Sequence, residues 1–227
     1  MKMMYKTHIE FGKNFFWLSL PIVAKAGVIP NILHSSVADI ILAEVAMYVG
    51  YRAAIWGSGF PDIDKEGTEA DKKNPYLGKF IRAFGVHHRG KFSHSLDSMT
   101  LLFSILALIA VYAVPSLFIS MLHYLPVEVM SQINNLGIVN MVMVGGAINK
   151  VLLATVVFAY VGVVSHLFAD LPTGGGVRLF FFMKPFKVKS KFFRTGDDST
   201  WELFCRKSAK ILMPISILVS TYLMSTL

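Results

Sequence analysis

The chain has a single cysteine, Cys205. That excludes an intrachain disulfide and any CxxC-type zinc site, and leaves Cys205 to read as a small apolar filler. Charge is also scarce: 16% of the 227 residues are charged against 54% hydrophobic, and mean hydropathy is +0.56. A soluble domain of this length cannot cover so much apolar surface, so the composition excludes an ordinary soluble globule and points to an integral membrane protein. The opening stretch MKMMYKTHIEFGK is polar, with no small-residue cleavage site after it, so no cleavable leader is expected. No internal repeat or low-complexity tract is present.

Basic residues are missing from two places, 30–36 and 121–146, and 19 of the 22 Lys and Arg fall in 1–13, 61–95 and 172–210. Between these stretches lie apolar segments of helical length, Asn14–Ile29, Ser35–Trp56, Ser98–Ser120, Ala147–Leu171 and Ser208–Leu227. The first is short and carries Lys25, which leaves open whether it crosses or dips into the bilayer. The positive-inside rule puts the basic stretches in the cytoplasm, with the N-terminus, and the two Lys/Arg-free stretches outside. Ser35 and Ser36 are N-cap candidates ahead of Asp39. GSGFPDIDKEG reads as a loop that ends the second segment, and Pro115 as a kink or early end within the third. PVEVMSQINNLGIVNMVMVGG suits an outer interfacial helix. MKPFKVKSKFFRTGDDS, with Phe186, Phe192 and Phe193 among its basic residues, suits headgroups better than nucleic acid. STWELFCRK reads as a capped lead-in to the last helix.

The chemistry-bearing residues cluster on the basic side of this topology. His8 lies near the start, Asp62 and Asp64 in PDID, His87, His88 and His94 in HHRGKFSHS, and His166 and Asp170 at the end of the fourth segment. Only His34 and His123 fall on the other side. His166 and Asp170, four apart, project from one helix face, and ionisable groups at the end of an oily segment are candidates for function. The two aspartates of PDID, in an extended turn, point different ways: one into a metal site, the other to orient or bridge. Arg89 suits stabilisation of developing negative charge. His and Asp donors without thiolate point to Zn²⁺, with Mn²⁺ or Fe²⁺ as alternatives, and an open coordination position would be a hydrolytic pattern.

These motifs together are similar to those of the YdjM family of inner-membrane proteins, which are predicted metal-dependent hydrolases. Thr7-His8 matches its N-terminal histidine, PDID its acidic turn, and His88-Arg89-Gly90 with His94-Ser95 its HRG…THS element. Ser165, His166, Asp170, Thr173, Gly176 and Val177 match its SHxxxDxxTxxGV element. The interval from His88 to His94 is one residue longer than usual, and Lys65 follows PDID where histidine is common. Which of His87, His88 and His94 reaches a metal stays open. The family is distantly similar to zinc-dependent phospholipase C, which implies phosphoester hydrolysis at a helical site of one to three ions.

The expectation is therefore an all-α polytopic membrane protein, one domain over 1–227, with four to five transmembrane helices and a metal site at the cytoplasmic interface. His8, Asp62, His88, His94, His166 and Asp170 are the candidate ligands. Asp64 and Arg89 are the candidate catalytic residues, and the TGGGV turn could present backbone N–H groups to substrate. Partners are the bilayer and a small-molecule or lipid phosphoester, with no nucleic acid; the sequence leaves oligomeric state open. Two rival readings remain: a cation transporter or channel lined by His166 and Asp170, and a non-catalytic protein whose metal only ties loops together.

Overall fold

The computed structural model describes residues 2–29, 36–86, 92–122, 124, 126–129, 131, 141–171, 177–178, 180, 182–184 and 200–226. Its helices are α1 (Lys2–Lys25), α2 (Val37–Gly57), α3 (Glu69–Lys73), α4 (Pro75–Ala83), α5 (Leu96–Leu108), α6 (Val114–Leu122), α7 (Met141–Asp170) and α8 (Thr200–Ser225). A 3₁₀ turn, Phe60–Asp64, follows α2. The described residues are all-α, and their one β feature is an isolated bridge between Ser95 and Arg178.

Among the described residues, four helical stretches are long and apolar enough to cross a bilayer: Val37–Asp62, Leu96–Leu117, Gly146–Asp170 and Glu202–Ser225. Their outward faces carry large apolar side chains, such as Ile41 and Tyr48 on α2, Leu101 on α5 and Ile211 and Leu218 on α8. That is the surface expected of a protein whose solvent is hydrocarbon. The short α4 differs. It exposes Tyr76, Phe80 and Phe84 on one stripe beside Lys79 and Arg82, the amphipathic make-up of a helix that lies in a headgroup layer.

α2 and α7 form the tightest seam. Ala43, Ala46, Gly50, Ala53, Ala54 and Gly57 make a small, buried face on α2, against which Ala154, Phe158, Ala159 and Val163 of α7 pack. A Cβ on Gly57 would collide with the Ala159 carbonyl, and one on Gly162 with the Ala54 carbonyl. Glycine is what lets these two backbones touch, as in the small-residue contacts of membrane helices. Phe16 of α1 reaches this seam, its ring 4.6 Å from that of Phe158.

Three expectations need correction. The first helix begins at Lys2, well before Asn14. Its polar lead is amphipathic, burying Thr7 and His8 while Lys6 stays outside, so it packs as part of the helix. Pro115 neither ends nor simply kinks its helix. The chain passes through a π segment, Ile109–Ala113, and resumes as α6; in the widened turn just ahead of Pro115 the Val114 N–H donates to the Ile109 carbonyl. PDID is a tight 3₁₀ turn rather than an extended one. Ser36 caps α2 as expected, accepting from the Asp39 N–H. Residues 132–140, the middle of the expected interfacial helix, and residues 185–199, the core of the basic-aromatic stretch, lie outside the described residues, while the last residues of the former, from Met141, belong to α7. His34 and His123 also lie outside the described residues.

Candidate metal centre

Four separate segments deliver five donors to one place. His8 comes from the first turns of α1, Asp62 from the 3₁₀ turn, His94 from the residue before the N-cap of α5, and His166 and Asp170 from the last turn of α7. Local structure fixes each. Ser95 caps α5 by accepting from the Ser98 N–H, which places His94 just outside the helix. The Ser95–Arg178 bridge, with Leu96 N–H donating to Arg178 O (3.0 Å) and Arg178 N–H to His94 O (3.1 Å), ties this segment to the chain beyond α7.

The side chains of His8, His94, His166 and Asp170 are at most 4% exposed, while that of Asp62 is 17% exposed. Water therefore reaches the cluster at Asp62. Asp170 Oδ1 lies 3.6 Å from His8 Nε2, and Oδ2 lies 3.5 Å from His94 Nε2 and 3.6 Å from His166 Nε2. Asp62 Oδ1 lies 4.0 Å from His94 Nε2 and 3.9 Å from His166 Nε2. The His8 and His166 rings stack at 3.8 Å.

These spacings suit a shared cation. At 3.5–4.0 Å the pairs are longer than hydrogen bonds. They sit close to the roughly 3.3 Å that separates two donors each about 2.0 Å from one tetrahedral ion. His166 Nδ1 donates to the Ser58 carbonyl at 2.7 Å. That fixes the ring's orientation, so that Nε2 is the atom facing the carboxylates, and Nε2 itself is buried with no hydrogen bond. A metal-binding histidine whose other nitrogen is held by a carbonyl has this arrangement. Burial, helped by the neighbouring His166 ring and opposed by the carboxylates, lowers the pKa of His8 to about 4. Burial also pushes His94 down, against the pull of Asp170. Burial thus favours the neutral form of both rings, the form that binds a metal. Two overlapping groups, His8–His166–Asp170 and Asp62–His94–His166, have donor atoms within 4.8 Å of one another and could hold a metal ion.

The same family named from the motifs matches along almost the whole chain: the model of the YdjM inner membrane protein family covers residues 3–227. The chain belongs to that family. Its four candidate spans and this membership make it a multi-pass inner-membrane protein. No curated protein and no solved structure matches the chain.

Within this YdjM protein, five of the six candidate ligands come together. His88, the sixth, and Arg89 lie outside the described residues, as do His87 and residues 173–176 of the TGGGV turn. Asp64 is buried at the end of the 3₁₀ turn but belongs to neither metal-capable group. Two contributions had no motif to announce them. The Ser58 carbonyl is a backbone group, and its only trace in the sequence is the pair of glycines, Gly57 and Gly162, that allow the approach. Ser93, whose hydroxyl is 3.1 Å from His94 Nδ1, is a serine among serines.

A cavity of about 710 Å³ adjoins the centre, between α1, the end of α7 and α8, with His8 and Asp170 in its wall.

Proposed function

We propose that this protein is a membrane-embedded, metal-dependent hydrolase of phosphoesters, with His8, Asp62, His94, His166 and Asp170 holding one or two divalent ions. The observation that carries the reading is the convergence of five N and O donors at 3.5–4.0 Å spacings in a buried pocket open at Asp62. The donor set favours Zn²⁺, with Mn²⁺ or Fe²⁺ as alternatives. An ion held there supplies an activated water, its pKa lowered to roughly 7, and polarises the scissile bond. The residues do the rest. Ser58 and Ser93 orient His166 and His94, and Asp170 spans the cluster with its two oxygens. Asp62 at the open edge is placed to meet water and substrate. Arg89, by residue type and sequence position, is the stabiliser of charge on the phosphate, and Asp64, two residues beyond Asp62, is the group to orient a ligand or bridge. The phospholipase C likeness is analogy only, so the reaction class rests on the donors.

Two features weigh against the rival readings. A pore needs polar residues along the spans, whereas the α2–α7 seam is built of Ala43, Ala46, Ala154, Phe158 and Val163. A purely structural site would be closed, whereas Asp62 is partly open and a cavity reaches His8 and Asp170. The charge asymmetry supports a cytoplasmic N-terminus and centre. On a Cys205→Ser background, cysteines placed at Ser131 and at Ser190 should label from opposite sides of the membrane.

The test of function is turnover of a panel of lipid and soluble phosphoesters by detergent-purified protein with added Zn²⁺ or Mn²⁺. Asp170→Asn should lower metal affinity by about 10- to 100-fold or more. Arg89→Ala should keep the metal and lose about 10²-fold in turnover. Full metal loading with no hydrolysis across the panel would overturn the enzyme reading in favour of a structural site.

A further inference from the structure

The cavity beside the centre is unusual in what it offers. Several of its polar wall residues are tied up in hydrogen bonds across the α1–α8 contact. Thr7 Oγ1 donates to Glu202 Oε1 at 3.3 Å. Asn14 Nδ2 donates to the Ala209 carbonyl at 2.8 Å, and Ser216 Oγ to Asn14 Oδ1 at 2.9 Å. What faces the space is mostly hydrocarbon and aromatic surface, including Phe11, Phe15, Leu18, Leu212 and Ile215, with Ser208 on α8 and, at one end, His8, Asp170 and Glu202 as the polar wall. The volume is that of a site for a sizeable ligand.

Its length and placement narrow the occupant. The lining runs from Thr7 to Leu18 along α1 and from Glu202 to Val219 along α8, which at 1.5 Å per residue is about 16 and 25 Å. One leaflet of hydrocarbon is about 15 Å thick. The slot starts at the metal-capable end of the bundle and descends between helices whose outer faces meet the bilayer, so an acyl chain could enter sideways without crossing water. The sequence stretches that lead into the site, 1–13, 61–95 and 172–210, hold most of the basic residues, and α4, packed on the 3₁₀ turn, exposes its aromatic stripe, features suited to an anionic headgroup.

We propose that this cavity seats one hydrocarbon chain of an anionic lipid drawn from the leaflet on the site side, with the lipid's phosphate lying at the His/Asp cluster. The substrate class is then a membrane phospholipid or lipid-linked phosphate, not a soluble phosphoester. This rests on the hydrolase reading for the word substrate, but the seat itself does not.

The test is photo-capture in metal-stripped protein, which needs no turnover. The probe is phosphatidylglycerol carrying a diazirine in one acyl chain, diluted into phosphatidylcholine nanodiscs. Cross-links should concentrate on the α1 and α8 segments that include Phe15, Leu18, Leu212 and Ile215. Leu212→Trp and, independently, Ile215→Trp should each cut capture by about tenfold, the equivalent of losing burial of roughly two methylene groups. Leu101→Trp, on the outward face of α5, should not. Unchanged elution and metal uptake in each variant show that it is folded. Cross-links spread over outward residues such as Leu101, Tyr112 and Leu117, and indifferent to both α8 tryptophans, would overturn the seat. The two claims separate cleanly. Capture without hydrolysis by the metal-loaded protein supports the seat and sinks the enzyme. Turnover of soluble phosphoesters without capture leaves the enzyme and sinks the seat.

Discussion

The two long seams of the bundle are built on opposite plans. Between α2 and α7, glycine and alanine bring the backbones together until no side chain fits at Gly57 or Gly162. Between α1 and α8, Asn14, Thr7, Ser216 and Glu202 hold the helices by a few hydrogen bonds around an open space of about 710 Å³. The centre sits where both seams end. The tight seam fixes the angle of His166 through the Ser58 carbonyl, and the loose seam supplies His8 and room for a ligand. Rigidity on one side and space on the other is the division a preorganised site needs.

The largest effect should come from filling the tight seam. Gly162→Leu drives a side chain into the Ala54 carbonyl and the Ser58 N–H, where no flexible tip can yield. The cost should be about 3 kcal/mol, seen as loss of folded protein in a detergent denaturation series. Ser208→Leu, which faces the cavity, should cost less than about 1 kcal/mol, because the added methylenes meet open space rather than packed atoms. Equal losses in the two variants would erase the contrast.

A middle effect is expected at the polar ties of the loose seam. Asn14→Leu removes the donor to Ala209 O and the acceptor for Ser216 Oγ, at a cost of about 1 kcal/mol, in the range of hydrogen bonds between membrane helices. Capture of the lipid probe would be the sharper readout, since the slot's width depends on this tie.

The smallest effect lies outside both seams, and so serves as a baseline. Burial alone would raise the Asp71 pKa, but the Gly67 N–H and the Arg82 guanidinium, 2.8 Å away, hold it below the usual carboxylate range. A depressed folded-state value stabilises above the unfolded pKa of about 4 and is lost as pH falls through the folded value. Asp71→Asn should therefore cost less than about 1 kcal/mol near neutral pH. The gap to the parent should close in thermal melts taken below pH 4. A gap that persists into acid would assign the loss to packing against Gly78 instead of charge.

Much of the centre was legible because its residues are chemically conspicuous. A histidine and an aspartate four apart at the end of an oily helix, an acidic turn, and a histidine before a cap identify themselves by cost alone. Charge placement gave the segments their order for a similar reason, since lysine and arginine stay out of hydrocarbon. The sequence was mute where the same residue types serve several ends. The polar start of α1 fell outside the helical segment, which began at Asn14, because burial of Thr7 and His8 depends on what packs over them. Pro115 looked like a break because the π turn that absorbs it leaves no compositional mark. The cavity could not be foreseen at all. Phe11, Phe15 and Leu212 read as ordinary membrane-helix residues, and only the spacing of α1 from α8 turns them into a wall.

The central claim is that five donors form one metal centre, and metal content tests it most directly. Parent protein purified without chelator, and its His166→Ala variant, should be compared by inductively coupled plasma mass spectrometry, with far-UV circular dichroism as the check on folding. His166 belongs to both metal-capable groups. The account predicts at least one tightly held transition-metal ion per chain in the parent and near-complete loss in the folded variant. A folded parent that stays metal-free after incubation with Zn²⁺, Mn²⁺ and Fe²⁺, or a variant that keeps the parent's full complement, would contradict it.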